Sequence, residues 1–305
     1  QLFNALPGSV SQGLIWGIMA IGIYITYRIL DVADLTVDGS FATGGAVAVI
    51  LILNGCNLWL AMLLAFVAGL IAGAVTGLLH TLMGIPPILA GILTQLALYS
   101  INLKIMGKAN QSINVNQTEI LVSLRWVKEL AFHNPLSTVG VVLVILIALL
   151  YWFFGTEMGC ALRATGANIN MSRAQGINTS FNKVLGIMIS NGLVAFSGAF
   201  LAQYQGFADV KMGQGAIVIG LAAVIIGEAI FGKIFKNFAL RLLSVAFGSV
   251  IYYIVVQAVI TMGLDANLLK LLSAVIVAIF LAIPYWKNQH KAKHMVKTKG
   301  GKVNA

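Results

Sequence analysis

The chain has 305 residues, of which 59% are hydrophobic and only 9% charged, and its formal net charge is +10. A soluble domain carries roughly 25% charged residues because its surface is hydrated, so this composition excludes a water-soluble globule. Most basic residues flank apolar runs, as topology signals do in membrane proteins. We therefore expect the lipid bilayer as a partner and no nucleic acid.

Apolar segments of nearly membrane-spanning length follow one another along the chain. About nine of them lie near residues 11–30, 39–54, 57–79, 86–106, 136–154, 181–203, 215–231, 239–261 and 267–286. A helix crosses a bilayer core with about 20 residues. The runs are continuously apolar, whereas barrel strands alternate. The sequence predicts an all-α integral membrane protein, a polytopic bundle of about nine spans forming one domain over 1–305. Segment 39–54 is short and Gly-rich, which is typical of a broken or tilted helix.

The distribution of Lys and Arg predicts the orientation of the bundle. Cytoplasmic loops of membrane proteins are enriched in both residues. The basic tail 287–305 and the loop 155–180 are therefore predicted to be cytoplasmic, and Arg28 to end the first span on that side. The long loop 107–135 and the N-terminus are then extracellular.

The two halves of the chain share a faint pattern. The first span is followed by residues 38–40, which read Asp-Gly-Ser, and the sixth by Asp209, Gly213 and Gly215. The predicted topology runs these spans in opposite directions. The pattern therefore favours an inverted repeat, in which Gly-interrupted segments at matching positions often line a substrate site.

Polar side chains within the predicted spans are few and mostly neutral. They are either helix–helix hydrogen-bonding groups or the lining of a solute path. The candidates for such a path are Asp38, Ser40, Thr94, Gln95, Asn191 and Gln257. A proton- or sodium-coupled carrier usually has an acidic residue deep in a span. Asp38 and Glu228 are instead predicted near the inner ends of spans, so a secondary carrier or channel is the less favoured alternative.

Motifs of enzyme chemistry are incomplete or missing in the sequence. Residues 227–233 match most of a phosphate-binding P-loop, but Ile234 stands where the motif needs Ser or Thr. Any ATPase working with this chain is therefore expected to be a separate protein. H-E-x-x-H and G-x-S-x-G are absent from the sequence, which leaves a membrane enzyme as the least favoured class. We expect no catalytic or metal-binding residues.

Gly69, Gly73 and Gly77 recur every four residues along the third span. This spacing places them on one helix face, where another backbone can approach closely. Packing within the bundle is favoured over a contact between subunits.

The loop 155–180 is long for a simple turn, and its composition predicts an amphipathic cytoplasmic element with Ala161, Leu162 and Thr165 on one side and Arg163 elsewhere. It contains the patterns Arg163-Ala164-x-Gly166-x-Asn168 and Ala174-x-Gly176-Ile177. These resemble the coupling loop of permeases of ABC importers in the branched-chain amino acid/ribose class. Residues 34–41, D-L-T-V-D-G-S-F, are similar to a segment of that family, and closest to a bacterial branch linked to aromatic amino acid uptake. The resemblance covers residues 8–286.

This resemblance implies a type II importer-like fold in which a short helix of the loop docks into a groove on the ATPase. The coupling residues would be Ala161, Leu162, Arg163, Ala164, Gly166, Asn168, Arg173 and Gly176. Gly166 is predicted to end the helix, since Gly adopts the left-handed conformation without a Cβ penalty.

The resemblance also implies the partners and the substrate. The partners would be cytoplasmic ABC ATPase subunits, an extracytoplasmic solute-binding protein and a second permease copy, in a bacterial plasma membrane. ATP and Mg²⁺ would bind to the ATPase, so this chain would hold no cofactor. The expected substrate is a small aromatic or branched-chain amino acid, with a sugar or nucleoside as the alternative.

Overall fold

The computed structural model describes residues 2–114, 119–128 and 134–263, together with residues 268, 271, 274–275, 277–279 and 282. The helices of the described part are α1 (Leu2–Tyr24), α2 (Val37–Leu53), α3 (Leu58–Thr81), α4 (Pro87–Met106), α5 (Pro135–Gly155), α6 (Glu157–Ala167), α7 (Ile169–Ala174), α8 (Thr179–Gln205), α9 (Ala216–Phe231) and α10 (Phe238–Thr261). A π-helical turn, Ile25–Ile29, continues α1, and Leu124–Lys128 forms a 3-10 helix.

Six helices are long and apolar enough to cross a membrane: α1 with its π turn, α3, α4, α5, α8 and α10. The predicted segments 39–54 and 215–231 correspond to shorter helices, α2 with 17 residues and α9 with 16. The structure describes only eight residues of the predicted segment 267–286, so a total of nine spans stays a prediction.

Helices α1 and α8 form the centre of the bundle. Within their most apolar stretches 78% and 72% of the residues are buried, against 22–33% in the other four spans. Helix α8 packs against α2 and α3, while α1 packs against α9 and α10. The outer helices expose large apolar side chains such as Leu63, Val144 and Leu149. Such a surface suits contact with lipid rather than water.

The glycine row of α3 packs against α8. A Cβ at Gly69 would strike the carbonyl of Asn191, and one at Gly73 the carbonyl of Ile187. At Gly77 it would strike the backbone of Val184 in the same way. The prediction of close packing within the bundle is therefore confirmed.

Two strands of three residues, which the sequence did not predict, connect the segments after α4 and α8. Strand β1 (Asn110–Ser112) pairs antiparallel with β2 (Phe207–Asp209). The buried Gln203 side chain also accepts a hydrogen bond from the backbone of Leu121 at 3.0 Å. At the other end of the bundle, Arg28 pairs with Glu228 at 3.0 Å. The loops predicted to share the outer side thus lie together, and so do the residues predicted near the inner side.

Helix α2 begins inside the bundle rather than at its end. After the π turn, Asp31 adopts a positive φ of 54°, and residues 32–36 run back between the helices. Gly44 and Gly198 bring α2 into backbone contact with the second half of α8. The placement of Asp38 near the cytoplasmic end of a span was therefore wrong, because the residues counted as a surface loop fold back into the interior.

Helix α9 also begins inside the bundle, next to the first turn of α2. A Cβ at Gly213, just before α9, would strike the carbonyl of Asp38 in the first turn of α2. The irregular segments that lead into both helices are partly buried by protein. Non-helical backbone at membrane depth is tolerated only where protein or a water-filled cavity surrounds it.

Candidate functional site: a helix junction and a cytoplasmic helix pair

The N-termini of α2 and α9 meet at what we call the helix junction, where they share the carboxylate of Asp38. Asp38 lies in the first turn of α2, and its Oδ2 and Oδ1 accept hydrogen bonds from the N–H groups of Gly215 and Ile217, both at 3.0 Å. The first N–H groups of a helix have no partner within it, and the helix dipole favours a negative charge there. Asp38 therefore stabilises both helix starts.

A second carboxylate, Asp34, lies behind the junction and is only 3% exposed. Its Oδ1 accepts the backbone N–H of Thr36 at 2.9 Å, and its Oδ2 accepts the side-chain amide of Asn191 at 2.6 Å. The Asn191 carbonyl oxygen accepts the Ser40 hydroxyl at 2.6 Å. In the described part of the chain Asp34 has no ion-pair partner. These hydrogen bonds attach the irregular segment and α2 to the middle of α8.

Three buried threonine hydroxyls connect the start of α2 to α3 and α4. The Thr36 and Thr76 hydroxyls are 2.7 Å apart, and the Thr76 hydroxyl donates to that of Thr94 at 2.8 Å. Thr94 also bonds the carbonyl of Ala90 at 3.1 Å. We call Asp34, Thr36, Ser40, Thr76, Thr94 and Asn191 the buried network. It connects four parts of the fold through short polar contacts.

Sequence reasoning found half of the buried network. Ser40, Thr94 and Asn191 were candidates, whereas Asp34, Thr36 and Thr76 were missed. Asp34 and Thr36 lie in the D-L-T-V-D-G-S-F segment that was singled out by resemblance alone. Thr76 lies beside the Gly row of α3, a position that places its hydroxyl on the same packed face.

The other three path candidates, Asp38, Gln95 and Gln257, lie outside the buried network. Gln95 and Asp38 are half-buried, and the Cα of Gln95 borders Gly39 at the junction. Gln257 is half-buried on α10, which packs against α1, α5 and α9. Beside Asp38, Gln214 is exposed. One side of the helix junction is thus open at the surface of the single subunit. The assignment of the six path candidates to a solute path stays a prediction.

The loop 155–180 folds into two short helices before α8. Thr156 caps α6 by accepting from the N–H of Gly159 at 3.4 Å, and Asn168 caps α7 through the N–H of Met171 at 3.0 Å. Gly176, with φ of 79°, follows α7. Side-chain caps of this kind satisfy the free N–H groups at a helix start.

Gly166 does not end α6, contrary to the prediction. The helix continues to Ala167, and the extended backbone of Asn168 ends it. Gly166 instead packs against the end of α1, where a Cβ would strike the carbonyl of Ile29. The rule that Gly ends helices fails here because close packing also requires Gly.

The predicted coupling residues divide into two faces. Leu162 is fully buried, and the neighbouring Thr165 accepts a hydrogen bond from Asn182 of α8 at 3.1 Å. The predicted side formed by Ala161, Leu162 and Thr165 is therefore confirmed as the inner side. The residues of the set that face outward are Arg163, Asn168, Arg173 and Gly176.

Two methionines add apolar surface to the outer face. Met158 is 46% exposed and Met171 is 63% exposed. Arg163 lies 5.8 Å from the ring centre of Phe238, within cation–π range. Arg173 donates to the hydroxyl of Thr179 at 3.0 Å. The outer face is thus mixed in character, with long side chains held by neighbouring groups.

These features define the class of the protein. It is a multi-pass helical membrane protein with discontinuous helices meeting in its interior, an arrangement found at the binding sites of transporters. The profile of the family described as "Branched-chain amino acid transport system / permease component" matches residues 6–284. The chain therefore belongs to this family, whose members are permease subunits of ABC transporters.

Individual relatives agree with this membership. The chain is 39% identical over 276 residues to a tyrosine transport system permease protein of Clostridioides difficile, covering 90% of this chain and 89% of the relative. An uncharacterised protein of Rickettsia prowazekii is 36% identical over 283 residues, with 92% and 97% coverage. A fructose import permease of Bifidobacterium longum is 29% identical over 277 residues, with 89% and 75% coverage.

A solved structure described as an inward-facing metal-chelate type ABC transporter superposes with a TM-score of 0.48 at 15% identity. The match covers 92% of this chain and 85% of that one.

Proposed function

We propose that this chain is the membrane-spanning subunit of an ATP-driven importer that moves a small amino acid into a bacterial cytoplasm by alternating access. The observation that carries the proposal is the 39% identity to a tyrosine transport permease over nearly the full length of both chains. The D-L-T-V-D-G-S-F segment, which supplies Asp34, Thr36, Asp38 and Ser40 to the helix junction, supports the same branch of the family.

The proposed substrate is an aromatic or branched-chain amino acid. A sugar is the second candidate, because a fructose import permease and autoinducer 2 permeases are also relatives, at 29% and 28% identity. Uptake of labelled tyrosine in a strain that depends on this system separates the two. Excess phenylalanine or leucine should compete and fructose should not. Uptake of labelled fructose or ribose, without any uptake of labelled tyrosine, would reject the amino acid assignment.

We place the solute path along the open side of the helix junction. Asp38 and Gln95 are half-exposed there, next to the exposed Gln214. Ser40, Thr94 and Asn191 are buried behind this surface. They would therefore act on the path indirectly, by holding α2 in position. Gln257 would contribute from α10, at the interface between the two halves of the subunit.

An inverted repeat is consistent with the packing. It would relate α1, α2 and α3 to α8, α9 and α10. Helix α1 packs against α10 as α8 packs against α3, and both α2 and α9 are short and begin in the interior. The secondary-carrier alternative gains no specific support from this geometry, since both interior carboxylates, Asp34 and Asp38, each accept two N–H groups of the chain.

The proposed assembly contains two permease copies, two cytoplasmic ABC ATPase subunits and an extracytoplasmic solute-binding protein. ATP and Mg²⁺ would bind to the ATPases, and this chain would hold no cofactor. In the bacterial plasma membrane, residues 1–305 would form one permease domain. Its loop 107–135 would face the binding protein, and its loop 155–180 and tail 287–305 would face the cytoplasm.

The helix pair α6–α7 is the proposed coupling element. Its buried side, with Leu162 and Gly166, attaches it to α8 and to the end of α1, while Arg163 and Met171 point outward. Arg is over-represented among the residues that dominate binding energy at interfaces. Movement of the ATPases would thus reach both central helices directly. The other proposed coupling residues are Ala161, Ala164, Asn168, Arg173 and Gly176.

The test is ATPase stimulation by loaded binding protein in reconstituted vesicles. Arg163→Glu should abolish most of the stimulation without lowering the amount of folded protein, and Ala164→Trp should act in the same direction. Lys233→Glu is the matched control, because Lys233 is exposed near the same end of the bundle but lies outside α6 and α7. Full stimulation and full uptake by Arg163→Glu would show that this element does not couple.

A further inference from the structure

A cationic cavity lies at the predicted cytoplasmic end of the bundle, between the end of α1, α6 and the start of α10. Its volume is about 510 Å³. The basic side chains that line it are Arg28, Arg163, Lys236 and Arg241. They come from three separate parts of the chain, so the cavity is assembled by the fold rather than by a basic run in the sequence.

The charge of this cavity is not balanced within the described residues. Arg28 pairs with Glu228, at 3.0 Å between Nε and Oε1. No other ion pair occurs in the part of the chain that the structure describes, so Arg163, Lys236 and Arg241 have no carboxylate partner there. Like charges that share one cavity repel each other, and a bound anion would relieve that repulsion.

The cavity continues into an aromatic groove. A second hollow of about 520 Å³ shares Arg163, Asn237 and Phe238 with it, and extends to Tyr151 and Trp152 at the end of α5. Tyr151 is 50% exposed and Trp152 is 70% exposed. Tyr and Trp concentrate where a membrane meets water. Tyr151 and Trp152 therefore suit the headgroup level of a bilayer, and the cationic cavity adjoins them through the shared residues.

We propose that this cavity binds the headgroup of an anionic phospholipid. The phosphate would lie between Arg163, Lys236 and Arg241, and the glycerol and upper acyl chains would lie along Tyr151 and Trp152. Basic pockets between helices on the cytoplasmic side suit phospholipid headgroups of this kind. A soluble anion or an acidic protein segment would use the cationic half of the site but not the aromatic half.

Native mass spectrometry of the purified full-length chain, titrated with phosphatidylglycerol, tests the proposal. The informative variant is Lys236→Gln/Arg241→Gln, which leaves Arg163 untouched. Lys236→Arg/Arg241→Lys keeps the charge and reports on folding. Lys104→Gln/Lys211→Gln is the matched control, because it removes two exposed charges from the other end of the bundle. Phosphatidylcholine and inorganic phosphate serve as competitors.

Each basic residue near an anionic headgroup contributes about fivefold to binding. The double Gln variant should therefore bind phosphatidylglycerol about 25-fold more weakly. The charge-keeping variant and the matched control should bind like the original chain, and neither competitor should displace the lipid.

Four results would overturn the proposal. The first is unchanged lipid binding by the double Gln variant, and the second is an equal loss in the charge-keeping variant. Displacement of the lipid by inorganic phosphate would indicate a soluble-anion site. If the double Gln variant retains phosphatidylglycerol but binds the ATPase more weakly in phosphatidylcholine nanodiscs, the cavity belongs to the ATPase interface.

Discussion

The buried network and the helix pair α6–α7 use polar side chains in opposite ways. In the network each of Asp34, Ser40, Thr76 and Asn191 has a hydrogen-bond partner within the chain. On the outer face of α6, Arg163 lies over the ring of Phe238 and makes no hydrogen bond or ion pair within the described residues. Polar groups without access to water must find partners internally, since leaving them unpaired is costly. The first region therefore governs folding, and the second remains available to a partner.

The strongest test of this comparison is Asn191→Leu, which removes the amide that bonds Asp34 and Ser40. We expect it to lower the free energy of unfolding by about 3 kcal/mol or more, because the buried Asp34 carboxyl loses a hydrogen-bond donor and the Ser40 hydroxyl loses its acceptor. Thermal unfolding of the purified chain in detergent measures this. Gln257→Leu is the control, since Gln257 is half-buried and should cost far less. Equal losses would show that the network has no special role.

Asp38→Ala should have the next largest effect. It leaves the N–H groups of Gly215 and Ile217 without their acceptor, at a cost of about 1–3 kcal/mol. Asp38→Asn should lose less stability than Asp38→Ala, because its amide oxygen can still accept one of the two hydrogen bonds. The same melting experiment applies, with Asp209→Ala, at the end of β2, as the comparison. An unchanged melting temperature for Asp38→Ala would contradict its role at both helix starts.

Thr76→Val tests the hydroxyl chain between α2, α3 and α4 with almost no change in shape. We expect a loss of about 1 kcal/mol. Since Thr76 and Thr94 bond each other, the double variant Thr76→Val/Thr94→Val should lose less than the sum of the single losses. Strict additivity in detergent melts would indicate that the two hydroxyls act independently.

Met171→Ser should change stability least, by no more than about 0.5 kcal/mol, because the side chain is largely exposed. Its effect should appear in coupling, where loss of an apolar contact at an interface lowers stimulated ATPase activity about fivefold. Met262→Ser is the matched control, since Met262 is 85% exposed beyond α10. If Met262→Ser lowers stimulation equally, α7 is not a docking surface.

The sequence predicted the ends of most long helices closely, but it did not predict that α2 begins inside the bundle. The predicted segments 86–106 and 136–154 differ by one residue at most from the ends of α4 and α5. Residues 31–36 look like a short polar connection, and the sequence contains no signal that they turn back into the bundle. The partner that holds Asp34 is Asn191, 157 residues further along the chain.

Two properties of this protein were determined by its sequence alone: it is a helical membrane protein, and loop 155–180 contains an amphipathic helix. Both depend on local composition and periodicity, which fix how a segment interacts with lipid or water. Only the tertiary structure decided that Asp38 joins two helix starts, that Gly166 packs instead of ending a helix, and that Lys236 and Arg241 share a cavity with Arg163. These relations depend on contacts between distant segments, and a local pattern is the same whether or not such a contact forms.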